Sequence, residues 1–156
     1  MTMTHLKHVS ALVVDDNDHS RRLLKEVLAS TGMSVRDTAD PNYVLSFLET
    51  CPVDLVVTDY EMKPISGIQL TQRIRAHRHP LVRGCGVLMV TGYADRKHVL
   101  EAARVGIDGL ISKPFTVGMV LERTMFVLSR AAARNAEPEG YRGQKAAAGG
   151  FVGLDD

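Results

Sequence analysis

The sequence predicts an α/β fold in which a doubly wound parallel sheet of five strands is flanked by five helices. Short apolar runs rich in valine and leucine recur along the chain, as is typical of strands buried on both faces of a parallel sheet. Between them lie segments whose apolar residues follow the period of a helix with one buried face. Because strand and helix alternate five times, we expect right-handed crossover connections.

Five strands are predicted from the apolar runs. The first, third and fourth runs are nearly continuous, the second is weaker, and the fifth is a short pair after a glycine-bounded turn. In chain order they cover residues 9–14, 34–38, 53–57, 87–90 and 110–111.

The helices between these strands have recognisable start or stop residues. Polar residues that accept hydrogen bonds from the first turn cap the beginnings, and glycines end two of the helices. The predicted starts are Asn17 or Asp18, Asp40 followed by Pro41, Ser66 and Thr116, and the predicted stops are Gly32 and Gly106.

Composition indicates a soluble globular protein. The 156 residues are 45% hydrophobic and 24% charged, with a formal net charge of +1, which favours neither nucleic acid nor a membrane surface as a partner. Cys51 and Cys85 lack metal-site spacing, so we expect buried thiols in a reducing compartment. No apolar run has the length of a membrane span and the N-terminus lacks a signal-peptide core, so we expect a cytoplasmic protein.

One domain is expected over residues 8–133. The remaining segment, residues 134–156, is rich in glycine and alanine and contains two isolated aromatic residues, Tyr141 and Phe151. Such a segment cannot build its own core, so we expect it to be flexible or to dock through those aromatics.

Polar residues end the predicted strands. Asp15 and Asp16 follow the first strand, Asp59 the third, Thr91 the fourth and Lys113 the fifth. Taken singly, each aspartate is more often a turn or cap residue, but parallel strands bring all five side chains to one sheet edge, where ligands bind. Three close carboxylates disfavour one another's ionisation unless a cation lies among them, and Mg²⁺ prefers such oxygen ligands together with phosphate. The pattern therefore predicts a metal-assisted, phosphate-handling site.

Four segments, VVDD (13–16), TDYEMKPISG (58–67), MVTGYAD (89–95) and SKPF (112–115), together resemble the receiver domain of two-component response regulators. The resemblance covers roughly residues 8–130 and implies a flavodoxin-like strand order, 2-1-3-4-5. It also implies a phosphoprotein of the CheY-like type, which acts in phosphorelay signal transduction.

The resemblance implies a role for each strand-end residue. Asp59 matches the phosphoacceptor, which takes a phosphoryl group from a histidine kinase. Asp16, Asp59 and the backbone carbonyl of Glu61 match the Mg²⁺ ligands, and Asp15 matches the acid that holds the ion through water. Lys113 matches the residue that, with the metal, neutralises charge on the transferring phosphoryl group.

The resemblance further implies a switch. Thr91 matches a hydroxyl that moves to bond the phosphoryl oxygen and thereby reshapes the face formed by helix 4, strand 5 and helix 5. Pro114 matches a proline whose cis peptide bond aims Lys113 inward. Leu110 occupies the place of the family's usual Tyr or Phe, which weakens the aromatic half of the switch. Glu61 and Tyr93 occupy variable positions expected to control access of water to the acyl phosphate.

A further departure lies in the loop after Asp59, where proline stands one place late, in Met62-Lys63-Pro64, while Gly67 keeps its usual place. Elsewhere, a basic cluster is interpreted as a solvated helix face and loop rather than a nucleic-acid or metal site, since base-stacking aromatics are missing and its two histidines have no companion ligands. The cluster comprises Arg73, Arg75, His77, Arg78, His79 and Arg83.

The leading hypothesis is a stand-alone receiver rather than an enzyme, because residues 134–156 are too few for an output domain. Expected partners are a sensor histidine kinase or a histidine phosphotransfer protein, and a downstream protein at the switched face, with the receiver a monomer or a phosphorylation-dependent dimer. One alternative is a haloacid-dehalogenase-like phosphohydrolase, for which Glu61 would be the second acid, although the chain lacks the usual cap. Another is a pseudo-receiver that binds partners without phosphorylation. The cognate kinase and the process controlled cannot be read from the sequence.

Overall fold

A computed structural model describes residues 3–136, and for residues 3–5 the backbone only. The strands are β1 (Ser10–Val14), β2 (Ser34–Thr38), β3 (Leu55–Asp59), β4 (Gly86–Thr91) and β5 (Gly109–Ser112). The α-helices are α1 (Asp18–Ala29), α2 (Val44–Thr50), α3 (Gly67–Arg75), α4 (Pro80–Arg83), α5 (Arg96–Val105) and α6 (Val117–Asn135). Met3–His8 and Pro41–Tyr43 form short 3₁₀ helices.

The five strands form one parallel sheet in the order β2-β1-β3-β4-β5, which confirms the predicted fold class and strand order. In the pairing register, Val57 lies beside Val13 on one side and Leu88 on the other. The central strands β3 and β4 are buried along their whole length, as their continuous apolar sequence predicted.

Helices cover both faces of the sheet and enclose two apolar layers. One layer lies between the sheet and α2, α3, α4 and α5, and includes Leu48, Ile74 and Val99. The other lies between the sheet and α1 and α6, and includes Leu28 and Val127. Burial of these side chains is the main favourable term that holds the helices on the sheet.

Most predicted helix boundaries are confirmed. Asn17 caps α1 by accepting from the Ser20 amide, Ser66 begins α3 in a full capping box, and Thr116 accepts from the Met119 amide at the start of α6. Gly106 ends α5 with φ +99°, a left-handed conformation that glycine adopts without steric cost.

The structure contains a helix that was not predicted. Pro80 begins the four-residue α4, and the ring of His79 accepts a hydrogen bond from the Leu81 amide 3.2 Å away as its N-cap. A helix of four residues is too short to show an apolar period, so the sequence pattern could not reveal it. The predicted fourth and fifth helices are therefore α5 and α6.

The solvated interpretation of the basic cluster is wrong for Arg75. Its guanidinium is 18% exposed and donates to the carbonyls of Arg83 and Cys85 and to the carboxylate of Asp108, the last at 2.9 Å. Asp108 is buried and also pairs with Arg130 and Arg134. Arg75 is thus a structural residue at the edge of the sheet where the strands begin.

The two histidines of the cluster also have structural partners. His77 Nε2 lies 2.8 Å from a carboxylate oxygen of Glu49, and His77 Nδ1 accepts from the amide of His79. These contacts stabilise the turn between α3 and α4 and connect it to Glu49 of α2.

The cysteine prediction is half correct. Cys85 is buried, and burial raises the pKa of its thiol to about 11, so the thiol is inert at neutral pH. Cys51 is exposed at the end of α2, contrary to the prediction, because the turn that follows this short helix faces solvent.

The C-terminal helix continues to Asn135, past the predicted domain end at residue 133. Most of the predicted tail, including Tyr141 and Phe151, lies outside the described residues. Within residues 3–136, no helix combines the length and apolar character needed to cross a bilayer.

Candidate functional site

All five parallel strands end at the same edge of the sheet, and four of them bring a predicted functional residue there. Asp15 directly follows β1, Asp59 is the last residue of β3, Thr91 is the last residue of β4, and Lys113 directly follows β5. The parallel register aligns these ends, so the fold places side chains from distant parts of the sequence close together.

The three predicted carboxylates form one acidic cluster. Asp15, Asp16 and Asp59 each contribute an oxygen to a set in which all atoms lie within 4.8 Å of one another. Asp15 and Asp59 are buried, whereas Asp16 is exposed at the rim. Like charges held this close repel one another strongly in a buried environment.

Asp15 is the most constrained member of the cluster. Its Oδ1 accepts a hydrogen bond from the Asn17 amide at 2.9 Å, while Oδ2 is buried without any hydrogen-bond partner. Burial, together with repulsion from Asp59, raises the pKa of the Asp15 carboxyl to about 6. A hard divalent cation fits such a site, because it supplies the charge that an orphaned carboxylate oxygen lacks.

Asp16 connects the cluster to the loop after β3. Its Oδ2 accepts a hydrogen bond from the backbone amide of Lys63 at 3.2 Å. Lys63 belongs to the segment where the sequence departs from the receiver pattern, so the altered loop still contacts the site. The Lys63–Pro64 peptide bond is cis.

Asp59 is 8% exposed and is paired with a cation. Lys113 Nζ lies 3.1 Å from Asp59 Oδ1. Burial raises the pKa of the Asp59 carboxyl, and the Lys113 ammonium opposes that shift. The Lys113–Pro114 peptide bond is cis, as the resemblance implied. Asp59 is thus a largely buried carboxylate whose small exposed part faces solvent at the edge of the sheet.

Gly67 controls how closely α3 approaches Asp59. A Cβ atom on Gly67 would lie 2.2 Å from the Asp59 carbonyl oxygen, closer than any real contact. The Gly67 amide also donates to the carbonyl of Tyr60 at 2.9 Å. The absence of a side chain at Gly67 therefore permits the close approach of the start of α3 to the Asp59 backbone.

Thr91 is fully buried, and its hydroxyl oxygen accepts a hydrogen bond from the Tyr93 amide at 2.8 Å. Its carbonyl accepts from the Lys113 amide at 2.7 Å, which joins the ends of β4 and β5. Thr91 thus connects the loop before α5 to the strand end that presents Lys113.

An aromatic contact beside this loop was not predicted. The ring of Tyr93, which is 47% exposed, stacks on His98 with centroids 5.5 Å apart. His98 also contacts the ring of Tyr60 edge-on, with centroids 5.4 Å apart, and the Tyr60 hydroxyl lies 3.5 Å from Glu101. Tyr60 directly follows Asp59, and an aromatic residue next to the site was the one feature of the sequence that could have suggested this ring contact.

Leu110 and Glu61, two further predicted residues, do not belong to the acidic cluster. Leu110 is buried in the apolar layer that includes α5, and its carbonyl accepts from the Arg123 side chain at 3.3 Å. Glu61 is exposed in the loop after β3. The structure therefore brings Asp15, Asp16, Asp59 and Lys113 into one site and leaves Leu110 in the core.

Comparison with known proteins agrees with this architecture. The family model described as "Response regulator receiver domain" matches residues 11–124. Chemotaxis protein CheY-3 of Vibrio cholerae serotype O1 is 35% identical over 125 residues, which cover 80% of this chain and 95% of that protein. Chemotaxis protein CheY of Pseudomonas aeruginosa is 33% identical over 120 residues, which cover 76% of this chain and 95% of that protein.

Solved structures show the same fold. A CheY-like response regulator receiver domain protein from Methanospirillum hungatei superimposes with a TM-score of 0.71 at 25% identity. The superposition covers 80% of this chain and 97% of that one.

Proposed function

This chain belongs to the response regulator receiver domain family, and we propose that it is a phosphorylation-controlled signalling module whose phosphoacceptor is Asp59. The main support is the pairing of the nearly buried Asp59 carboxylate with Lys113, 3.1 Å away, inside a cluster with two further carboxylates. A carboxylate used only as a turn or cap residue needs neither a lysine from another strand nor two acidic neighbours.

The proposed reaction is an in-line displacement at phosphorus. A carboxylate oxygen of Asp59 forms a bond to the phosphorus of a phosphohistidine, the N–P bond breaks, and the imidazole leaves with the bonding electrons. Lys113 neutralises charge on the phosphoryl oxygens, where positioning and electrostatics provide most of the catalysis. Asp59 becomes an acyl phosphate and is modified once in each signalling cycle.

Asp15, Asp16, Asp59 and the backbone carbonyl of Glu61 would hold a Mg²⁺ ion. When bound, the ion supplies positive charge to the three carboxylates and to the incoming phosphoryl oxygens. The unpartnered Oδ2 of Asp15 and the close packing of the cluster support this assignment, because both are unfavourable without a cation.

Phosphorylation would then act through Thr91. Its hydroxyl accepts from the Tyr93 amide before phosphorylation, so a move toward a phosphoryl oxygen would release that amide and the loop before α5. The face formed by α5, β5 and α6 would change as a result, which is a population shift driven by local electrostatics. Leu110, already buried, would take no part as an aromatic switch, while Glu61 and the exposed Tyr93 would govern access of water to the acyl phosphate.

Partners follow from this mechanism. A histidine kinase or a histidine phosphotransfer protein would donate the phosphoryl group, and a downstream protein would bind the altered face of α5, β5 and α6. The phosphorylated protein would act as a monomer or as a dimer formed through that face.

Intact-mass spectrometry after incubation with Mg²⁺ and acetyl phosphate tests the proposal. We expect wild type to gain one phosphoryl group, Asp59→Asn to gain none, and Asp54→Asn to behave as wild type. Asp54 is a matched control because it is an exposed aspartate at the other end of the same strand. Equal modification of Asp59→Asn at the same site, or none in wild type, would contradict the assignment. Continuous release of phosphate from small phosphomonoesters would instead indicate a phosphohydrolase.

A further inference from the structure

A groove of about 520 Å³ opens at the edge of the sheet where the strands begin, opposite the acidic cluster. It lies between the starts of β1 and β3, helix α4 and the last turns of α6. Much of its lining is apolar and includes Val53, Pro80, Leu81, Leu128 and Ala131. Leu81 is 62% exposed, the largest value among the large hydrophobic side chains of the described residues.

The chain leaves the domain at the rim of this groove. Asn135, the last residue of α6, lines the groove and donates from Nδ2 to the Gly84 carbonyl at 3.0 Å. Arg134 donates to the same carbonyl at 3.1 Å. A Cβ atom on Gly84 would lie 2.4 Å from Asn135 Oδ1, so Gly84 allows this close approach. The end of the described chain therefore lies beside the groove.

The sequence that follows can reach the groove. Tyr141 is the first aromatic residue after α6, and six residues of extended chain span at most about 20 Å. Phe151 is farther along the chain, so its local concentration at the groove is lower.

We propose that the groove is the docking site of the chain's own C-terminal segment, with the Tyr141 ring as the inserted group. A tyrosine suits the groove because it combines an apolar ring with a polar tip. At the rim, the exposed carboxylate of Asp54 accepts from the Ser10 amide and is available to the Tyr141 hydroxyl. The segment covers Leu81 and secures the end of α6.

Methyl NMR spectra of the full chain test this docking. We expect Tyr141→Ala to shift the methyl resonances of Leu81, Leu128 and Ala131, and wild type to show nuclear Overhauser contacts between the Tyr141 ring and those methyls. Phe151→Ala is the matched control and should leave the groove methyls unchanged. Ala132 lines the groove at an exposed position of α6, so Ala132→Lys places a charged side chain there. We expect this variant to lose the ring contacts while the resonances of residues near Asp59 stay unchanged.

Three outcomes would overturn the proposal. The first is an unchanged groove in Tyr141→Ala, and the second is a groove that responds to Phe151→Ala instead. The third is a loss of the ring contacts on dilution, accompanied by a fall in the molecular mass of the particle in solution. That result would show that the groove binds a second copy of the chain. Contacts that are independent of concentration support docking within one chain.

Discussion

Lys113 and Asp59 form an ion pair across the end of the strand that separates them, with Nζ 3.1 Å from Oδ1. Asp59 ends β3 and Lys113 follows β5, so the pair passes over the end of β4, where Thr91 is buried. Among the described residues, the Lys113 ammonium is the cation paired with the Asp59 carboxylate. It therefore controls the charge of the carboxylate proposed to accept the phosphoryl group.

Replacing Lys113 with methionine should slow phosphoryl uptake about 10- to 1,000-fold, because a preorganised positive charge at the transferring group is lost. The time course of intact mass with Mg²⁺ and acetyl phosphate measures this rate. Lys97→Met, an exposed position on α5, is the control and should retain the wild-type rate. An unchanged rate in Lys113→Met would show that the ion pair serves stability alone.

Neutralising Asp15 should stabilise the metal-free protein. Because burial raises the pKa of this carboxyl from 3.8 to about 6, its ionised form opposes folding at pH 7. We expect Asp15→Asn in EDTA to raise the free energy of unfolding by about 1–3 kcal/mol at pH 7, and the gain to shrink as pH falls from 6 to 4, where wild type also becomes protonated. Urea denaturation at several pH values measures both effects.

Added Mg²⁺ should stabilise wild type more than Asp15→Asn. An ion that binds only the folded state raises the melting temperature, and Asp15→Asn removes part of its site, so the variant should gain less from Mg²⁺ than wild type. Thermal unfolding with Mg²⁺ and with EDTA provides the comparison. Equal gains in the two proteins would exclude Asp15 from the metal site.

A methyl group at Gly67 should damage both stability and phosphorylation. The added carbon would collide with the Asp59 carbonyl, so the start of α3 must move; overpacking of this kind costs about 1–3 kcal/mol. Gly118→Ala is the control, because its nearest contact is 3.9 Å away at the exposed start of α6. We expect Gly67→Ala to have a lower free energy of unfolding in urea and slower phosphoryl uptake than Gly118→Ala. Wild-type stability and uptake in Gly67→Ala would refute the steric argument.

Asp108 should be essential for stability but not for chemistry. Replacing it with asparagine leaves the guanidinium groups of Arg75, Arg130 and Arg134 without their shared charge, and breaking a buried ion pair costs about 3–5 kcal/mol. Phosphoryl uptake per folded molecule should not change, since Asp108 precedes β5 at the opposite edge of the sheet. Asp54→Asn, at an exposed site, should cost less than about 1 kcal/mol by urea denaturation.

Much of the fold could be predicted because it depends on local patterns. The strands β3 and β4 are signalled by their own apolar residues. The helix starts at Asn17, Ser66 and Thr116 are signalled by a side chain that caps an amide only three residues later. The acidic residues of the site were predictable for a related reason: each directly follows or ends a strand, and parallel topology alone gathers strand ends on one edge.

The missed features depend on contacts between distant residues. Arg75 belongs to a basic sequence that reads as solvent-exposed, and only the folded chain reveals Asp108 as its partner, 33 positions later. His98 likewise shows no signal in the sequence, and only the fold brings its ring into contact with those of Tyr60 and Tyr93. Pairings of this kind have no period and no local signature.

The acidic cluster and the arginine-bound Asp108 lie at opposite ends of one sheet. Evolution can therefore alter one end with little penalty at the other. Substitutions around α4, Gly84 and the end of α6 would change what the protein contacts and leave the proposed phosphoacceptor site intact. Substitutions near Asp59 would change the proposed chemistry without disturbing the ion pairs of Asp108 that stabilise the opposite edge of the sheet.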